Sequence, residues 1–221
     1  PQPASAAREG IYMFYSSGTT GRPKGILRAL PDVGWGSLNN PETNMLAGLY
    51  GFTDETVYLC PAPLYHAAPL GWTVGTQALG GTSVVMESFD AEAALAAIER
   101  FRVTHAQFVP THFVRMLDLP REVRMRYDLS SLRCVVHAAA PCPPDIKRQM
   151  IDWFGPIIEE YYAASEGAGF TCLSSAEWLA HPGSVGRPRL NPVHIVGENG
   201  ELLAPGKVGL VYFEGAERFE Y

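Results

Sequence analysis

The sequence predicts an α/β protein: a mostly parallel sheet flanked by helices, followed by a small antiparallel β subdomain. Three observations predict it. Between about positions 56 and 162, short apolar runs alternate with stretches of helical period, the β-α-β-α rhythm of a parallel sheet with helical crossovers. After about His181 that rhythm gives way to short β-like runs punctuated by Pro and Gly. With 221 residues, 47% hydrophobic and 18% charged, the chain suffices for one large domain or two small ones. The expected division is residues 1–180 as the α/β part and 181–221 as the start of a β-barrel-like part.

Taken in order, Ile11-Tyr12-Met13-Phe14-Tyr15 is a continuous apolar run typical of a buried strand, and Gly25-Ile26-Leu27 is a second short apolar piece. The residues between them are therefore expected to form a loop joining two strands. Thr56–Cys60 reads as a strand, and the small-residue-rich stretch Pro69–Leu79 as a buried helix. Thr82–Met86 is strand-like. Asp90 is positioned to cap a helix over Ala91–Phe101, with Leu95, Ile98 and Phe101 on one face. Thr104–Val109 is a strand, after which Pro110 starts another helix. Arg133–Ala138 is a strand; Pro144–Phe154 is a helix carrying Ile146, Met150 and Phe154 on one side; Ile157–Tyr162 is a strand again. Beyond His181, Val193–Val196 and Val208–Phe213 are β-like, and Asn199-Gly200 signals a tight turn. Glu159 and Glu160, on the strand that enters the last α/β turn, are expected to be structural.

Composition excludes several function classes. A net charge of −6 without a basic patch leaves no footprint for nucleic acid. No apolar run approaches the roughly 20 residues of a membrane span, and Pro1–Arg8 lacks the hydrophobic core of a signal peptide. Cys60, Cys134, Cys142 and Cys172 form no CxxC pair and have no paired His at zinc spacing, which reads as four free thiols in a reducing cytoplasm. The chain begins in Pro/Ala-rich sequence and stops at Phe219-Glu220-Tyr221 without a terminating signal, so a piece of a longer protein is expected.

The chemistry concentrates in Tyr15-Ser16-Ser17-Gly18-Thr19-Thr20-Gly21-Arg22-Pro23-Lys24-Gly25. Glycines let backbone N–H groups approach phosphate oxygens, Ser16, Ser17, Thr19 and Thr20 add short donors, and Lys24 is a flexible cation that can follow the charge. From composition alone, a ligand-free surface turn stays open. A Walker A loop is excluded, because there the Lys precedes Ser or Thr and the loop opens a helix, whereas Gly25 follows Lys24 here.

This stretch resembles the phosphate-binding signature of the adenylate-forming superfamily, which includes acyl-CoA synthetases, luciferases and peptide-synthetase adenylation domains. Four further stretches resemble the family in the family's order, along nearly the whole chain. Pro63-Leu64-Tyr65-His66 is similar to a turn of the CoA ligases, which implies that His66 lies beside the acyl pocket; taken alone, a hydrogen-bonded structural His is the simpler reading. Ala138-Ala139-Ala140-Pro141 resembles the flat shelf under adenine, with Ala138 where Gly is usual, so a tighter slot is expected; small-residue packing is the alternative. Tyr162, Ser165 and Glu166 fall on the pattern Tyr-Gly-x-Thr-Glu, with Ala163 for Gly and Ser165 for Thr. The resemblance implies that Tyr162 stacks on adenine, Ser165 donates to the α-phosphate and Glu166 holds Mg²⁺; alone, Glu166 reads as a solvated loop carboxylate. Gly183-Ser184-Val185-Gly186-Arg187-Pro188 resembles an architectural turn.

The resemblance implies an ATP-dependent acyl-CoA synthetase with ATP, Mg²⁺ and CoA, acting on a carboxylic and specifically fatty acid. His66, Lys24 and Glu166 are the implied catalytic groups. Residues 1–180 become the AMP-binding subdomain with a phosphate-loop hairpin at its start. Tyr65, Ala67, Ala68, Gly71 and Trp72 flank His66, and small side chains there imply room for a bulky acyl group. Two alternatives stand beside this reading: an acyl-AMP ligase that loads a carrier protein, and a non-catalytic nucleotide-binding module. The family's ribose-gripping Asp and Lys-bearing C-terminal domain are expected beyond Tyr221, so the 221-residue piece alone is expected to be inactive. A homodimer is left open for the full-length protein.

Overall fold

The computed structural model of the chain describes residues 8–16, 24–27, 30, 32–34, 36–37, 41–189 and 191–215. Strands β1 (Phe14–Ser16) and β2 (Lys24–Ile26) pair antiparallel, with Ser16 opposite Lys24, so two strands flank the loop as expected, but the first begins only at Phe14 and is not buried, Met13 being 46% and Tyr15 69% exposed. Helix α1 (Pro41–Tyr50) follows. The chain then runs β3 (Val57–Cys60), α2 (Ala67–Ala78), β4 (Thr82–Val85), α3 (Ala91–Phe101), β5 (His105–Phe108), α4 (Pro110–Leu117), a single turn α5 (Arg121–Arg124), β6 (Cys134–His137), α6 (Pro144–Phe154), β7 (Ile158–Ala163), β8 (Phe170–Leu173), α7 (Ser175–Ala180), β9 (Arg187–Pro188), β10 (Val193–Val196) and β11 (Leu210–Phe213).

Seven strands form one sheet in the order β4-β3-β5-β6-β7-β8-β9. The first five are parallel; β8 and β9 add antiparallel pairs. The α/β class with a mostly parallel sheet is thus present, with an antiparallel margin that the short run Phe170–Leu173 did not announce. The sheet continues to Pro188, beyond His181, and the separate two-stranded piece β10–β11 begins at Val193.

Period-2 alternation sorts the strand residues onto two buried faces. Leu59, Ala106, Phe108, Val135, Ile158 and Leu173 pack against Leu95 and Ile98 of α3, Phe113 and Met116 of α4, and Met150 of α6. Tyr58, Cys60, Cys134, Val136 and Cys172 pack against Leu46 and Tyr50 of α1 and Trp72 of α2. Each such side chain contributes on the order of 1.5–3 kcal/mol when fully buried, so this two-faced core dominates the stability of the sheet. Strand β5 is buried on both faces, and its polar residues are bonded: His105 Nε2 to the Tyr50 carbonyl at 3.0 Å, and Gln107 Nε2 to the Tyr161 hydroxyl at 2.9 Å.

Asp90 caps α3 as expected, its Oδ1 accepting from Ala93 N at 2.8 Å. Phe101, expected on the buried face of that helix, is 44% exposed. Steps of three residues fall 60° short of a full turn, so two steps from Leu95 carry Phe101 off the stripe. Asn199-Gly200 does form a tight turn, with Gly200 at φ +83°. It closes a small excursion bridged at Val196 and Leu202 and does not join β10 directly to β11.

Candidate functional site

Because β3, β5, β6 and β7 run parallel, the segments that leave them emerge on one edge of the sheet. Strand β3 connects to β4 on one side while β5 lies on the other, and the carboxyl edge at such a reversal is where open α/β sheets hold ligands. Three of the four described motif stretches leave this edge. Pro63–His66 follows β3, Ala138–Pro141 follows β6, and Tyr162–Glu166 ends β7 and turns beyond it.

His66 is the N-cap residue of α2, with extended backbone (φ −85°, ψ 149°) and no cap bond from its side chain. Its exposed ring lies against Tyr65, centroids 4.5 Å apart. The first turn of α2 is therefore presented at the edge with its N–H groups uncapped by His66, a favourable place for an anionic oxygen. Ala138 is buried, and the exposed shelf consists of Ala139, Ala140 and Pro141. The glycine-like conformation falls on Ala139, at φ +74°, and not on Ala138, which stands where Gly is usual. Tyr162 is 45% exposed and its ring lies near-parallel to Phe213, centroids 6.1 Å apart. Phe213 itself lies flat over Gly169, where a Cβ would fall 1.9 Å from the ring, so the β10–β11 hairpin is seated directly behind Tyr162. A tight turn closed by Gly167 N to Ala164 O at 3.0 Å holds Ser165, exposed, and Glu166, partly buried. One carboxylate suits Mg²⁺, which keeps several waters and takes its remaining ligands from phosphates; among the described residues no group of three His, Cys, Asp or Glu could hold a metal by itself.

Lys24 stands at the start of β2, across from Ser16. Ser17, Gly18, Thr19, Thr20 and Gly21 lie outside the described residues, as does the side chain of Ser16. The hairpin is tied to the body through Tyr12, whose hydroxyl donates to Glu42 of α1. Glu42 in turn fills the space over Gly71 of α2, where a Cβ would meet its Oε1. Of the residues that flank His66, Gly71 has Glu42 beside it, and Trp72 is 2% exposed within a cluster of Tyr50, Phe52, Tyr58 and Tyr161.

Beneath the motif loops lies a polar cluster that motif reading did not find. Lys147 of α6 and His137 of β6 are both fully buried, and both face Glu160 of β7. Lys147 Nζ is 2.5 Å and His137 Nε2 3.4 Å from the same oxygen, Glu160 Oε2. Burial, aided by the Lys147 charge, pushes the His137 pKa down to about 3, so its ring is neutral. Burial also lowers the Lys147 pKa, and Glu160 acts against that shift. Glu160 is thus buried and paired with Lys147 inside the fold. Its neighbour Glu159 faces the other side of the sheet, where burial and the charge of Glu177 raise its pKa to about 7. The sequence carried a signal for the cluster: Lys147, Met150, Ile151 and Phe154 share one helical stripe, so a charge stands in an apolar row.

The chain matches the AMP-binding enzyme family over residues 1–220. It is 34% identical over 205 residues to a feruloyl-CoA synthase of Amycolatopsis sp, covering 92% of the chain and 40% of the synthase. It is 31% identical over 222 residues to a medium/long-chain-fatty-acid–CoA ligase, FadD8, of Mycobacterium tuberculosis, covering 97% of the chain and 37% of the ligase. Among solved structures it resembles the amide bond synthetase McbA from Marinactinospora thermotolerans at 30% identity and a TM-score of 0.75, covering 92% of the chain and 41% of that protein. The chain therefore spans about two fifths of the length of the relatives it matches.

Proposed function

The chain belongs to the AMP-binding enzyme family, and from that premise we propose that it is the nucleotide-binding part of a longer ATP-dependent acid–thiol ligase that joins a carboxylic acid, of the fatty class, to CoA. The observation that carries the reading is that three sequence-distant motifs leave the same carboxyl edge of one parallel sheet, from β3, β6 and β7.

The chemical task is electrostatic, since an anionic carboxylate must attack the α-phosphate of a polyanion and expel pyrophosphate. The residues divide that task. Lys24 and the hydroxyls Ser16, Ser17, Thr19 and Thr20 neutralise and orient the phosphates. Ser165 would donate to the α-phosphate, and Glu166 would hold Mg²⁺, whose charge would offset that developing on the phosphates. Ala139, Ala140 and Pro141 leave a flat shelf for adenine, against which Tyr162 closes. His66, at the open first turn of α2, lies where the carboxylate would meet the α-phosphate, and its ring guides the incoming thiol in the second half-reaction. That second step forms the thioester and releases AMP. The names of the relatives divide between an aryl acid and fatty acids, and Glu42 over Gly71 narrows one side of the region next to His66.

The test is pyrophosphate release by the full-length protein with ATP, Mg²⁺ and a panel of fatty and aryl carboxylic acids, with and without CoA. Acid-dependent release that CoA accelerates supports the reading and names the acid. Release indifferent to CoA replaces CoA with a carrier protein or an amine as acceptor. No acid-dependent release from folded protein overturns it in favour of nucleotide binding without catalysis.

A further inference from the structure

We propose that Glu160, gripped by Lys147 beside the His137 ring, is a positioning group that fixes the gap between the loop after β6 and the loop after β7 and thereby sets the affinity for ATP. The inference rests on the functional reading above and goes beyond it in naming residues that touch no substrate.

Three features support it. The first is register: His137 and Glu160 are the last directly opposed pair of β6 and β7 before the chains part into the shelf Ala138–Pro141 and the turn that carries Ser165 and Glu166. The second is the path of the chain. The shelf leaves β6 immediately after His137 and enters α6, which carries Lys147 in its first turn. Of the two residues that bracket the shelf, Lys147 is bonded to Glu160 Oε2 at 2.5 Å, and the neutral His137 ring lies beside the same oxygen at 3.4 Å without a hydrogen bond to it. Three residues on from Tyr161 the same strand has delivered Tyr162 and begun the Glu166 turn, so one carboxylate ties both loops at their base. The third is immobility: Phe113 lies at 5.4 Å from the His137 ring, and Lys147 Nζ lies 5.1 Å from the Trp178 ring centre. With His137 uncharged, the cluster is a single neutralised pair.

Stability alone does not call for such a cluster. A buried ion pair is often no more stabilising than apolar side chains of the same volume, because desolvation offsets the attraction. What an ion pair of fixed geometry adds over an apolar fill is direction and distance, and a displacement of about 1 Å at a reacting centre can change rates by about a hundredfold.

The experiment compares the full-length protein with Lys147→Met/Glu160→Met, which replaces the pair by apolar side chains of similar length, with Glu160→Gln, which keeps an acceptor for Lys147, and with Lys147→Arg. Thermal unfolding reports folding; calorimetric binding of Mg·ATP and the separate KM values for ATP, acid and CoA report function. The expected result is a folded double variant with Kd and KM for ATP raised about tenfold while the KM values for acid and CoA stay within about twofold. Glu160→Gln should recover most of that loss, and Lys147→Arg, which keeps the charge but displaces the donors, should raise the ATP KM about fivefold. A folded double variant that binds ATP like wild type overturns the inference, as does a parallel rise in all three KM values. Should the double variant fail to fold, Lys147→Arg with unchanged ATP affinity overturns it equally. Wild-type protein that neither binds ATP nor releases pyrophosphate overturns both the inference and the functional reading; wild-type activity with indifferent variants overturns the inference alone.

Discussion

At the scale of single residues, Ala139 sits at φ +74°, one of two non-glycine residues in the left-handed region among those described. An L-residue there carries roughly 1–2 kcal/mol of steric strain, while a glycine would lose about 0.5–1 kcal/mol more chain entropy on folding. Relief exceeds cost, so Ala139→Gly is expected to stabilise the chain by about 0.5–1 kcal/mol in urea unfolding; a loss of stability would show that the methyl contributes packing that outweighs its strain. Glu159 gives a pH-dependent case. Its carboxyl keeps its proton up to about pH 7 in the folded chain, against a usual value of 4.5. The folded state therefore binds more protons than the unfolded state between those values. The group's stabilising contribution is complete below 4.5 and is lost as pH rises through 7. Glu159→Gln should raise stability by about 1–2 kcal/mol at pH 8, discounted for partial exposure, and by almost nothing at pH 5. Equal effects at both pH values would count against a raised carboxyl. These residues also mark what sequence reading reaches. Glu166 and His66 stand out because motifs name them. Lys147 is hidden because a single charge in an apolar stripe reads as a defect in the pattern until its partner, a Glu thirteen residues on, is brought to it by the fold.

At the scale of elements, the turn Gly183–Pro188 is a place where the chain needs glycine for two different reasons. Gly186 has φ +92°, and a Cβ there would fall 2.2 Å from the Cys172 carbonyl oxygen of β8; Gly183 has φ +88° but open space around it. Gly183→Ala should therefore cost only conformational strain, about 1 kcal/mol. Gly186→Ala adds a backbone clash that only separation of β9 from β8 relieves, for a total of about 3 kcal/mol or more. Denaturant midpoints of the two variants check this directly, and equal losses would mean that the close approach is not what Gly186 provides. Helices α2, α3, α4 and α6 with the strands between them were legible, from the small residues of α2, the Asp90 cap and period of α3, and the prolines that open α4 and α6. Strands β8 and β9 were not legible. Phe170–Leu173 is short, buried on both faces and antiparallel, and the two residues of β9 offer no period at all. Helix α1 is not legible because its apolar residues Met45, Leu46, Leu49 and Tyr50 all fall in its last six positions, too short a run for a period to stand out.

At the scale of the whole molecule, the parallel sheet and the β10–β11 hairpin differ in how they are held, and that difference is measurable. Strands β5 and β6 are covered on both faces and bonded on both sides; Ala106, Phe108, Val135 and Val136 are at most 1% exposed. The hairpin is a two-stranded sheet whose Leu210, Val211 and Tyr212 are 61%, 47% and 53% exposed, and its anchor to the sheet is Phe213 over Gly169 and beside Tyr162. Two strands alone are marginal in water. In the 221-residue chain, amides of Val193–Val196 and Leu210–Phe213 are therefore expected to exchange by local opening costing on the order of 1–3 kcal/mol, while those of Ala106, Phe108, Val135 and Val136 wait for global unfolding. Because Phe213 backs Tyr162, opening of the hairpin also frees the ring proposed to close over adenine, so ATP added with Mg²⁺ should slow exchange at Leu210–Phe213 more than at β5. Uniform protection across both sheets would show that the hairpin folds as one unit with the core. Slowing confined to β5 and β6 on adding ATP would separate the hairpin from the nucleotide site.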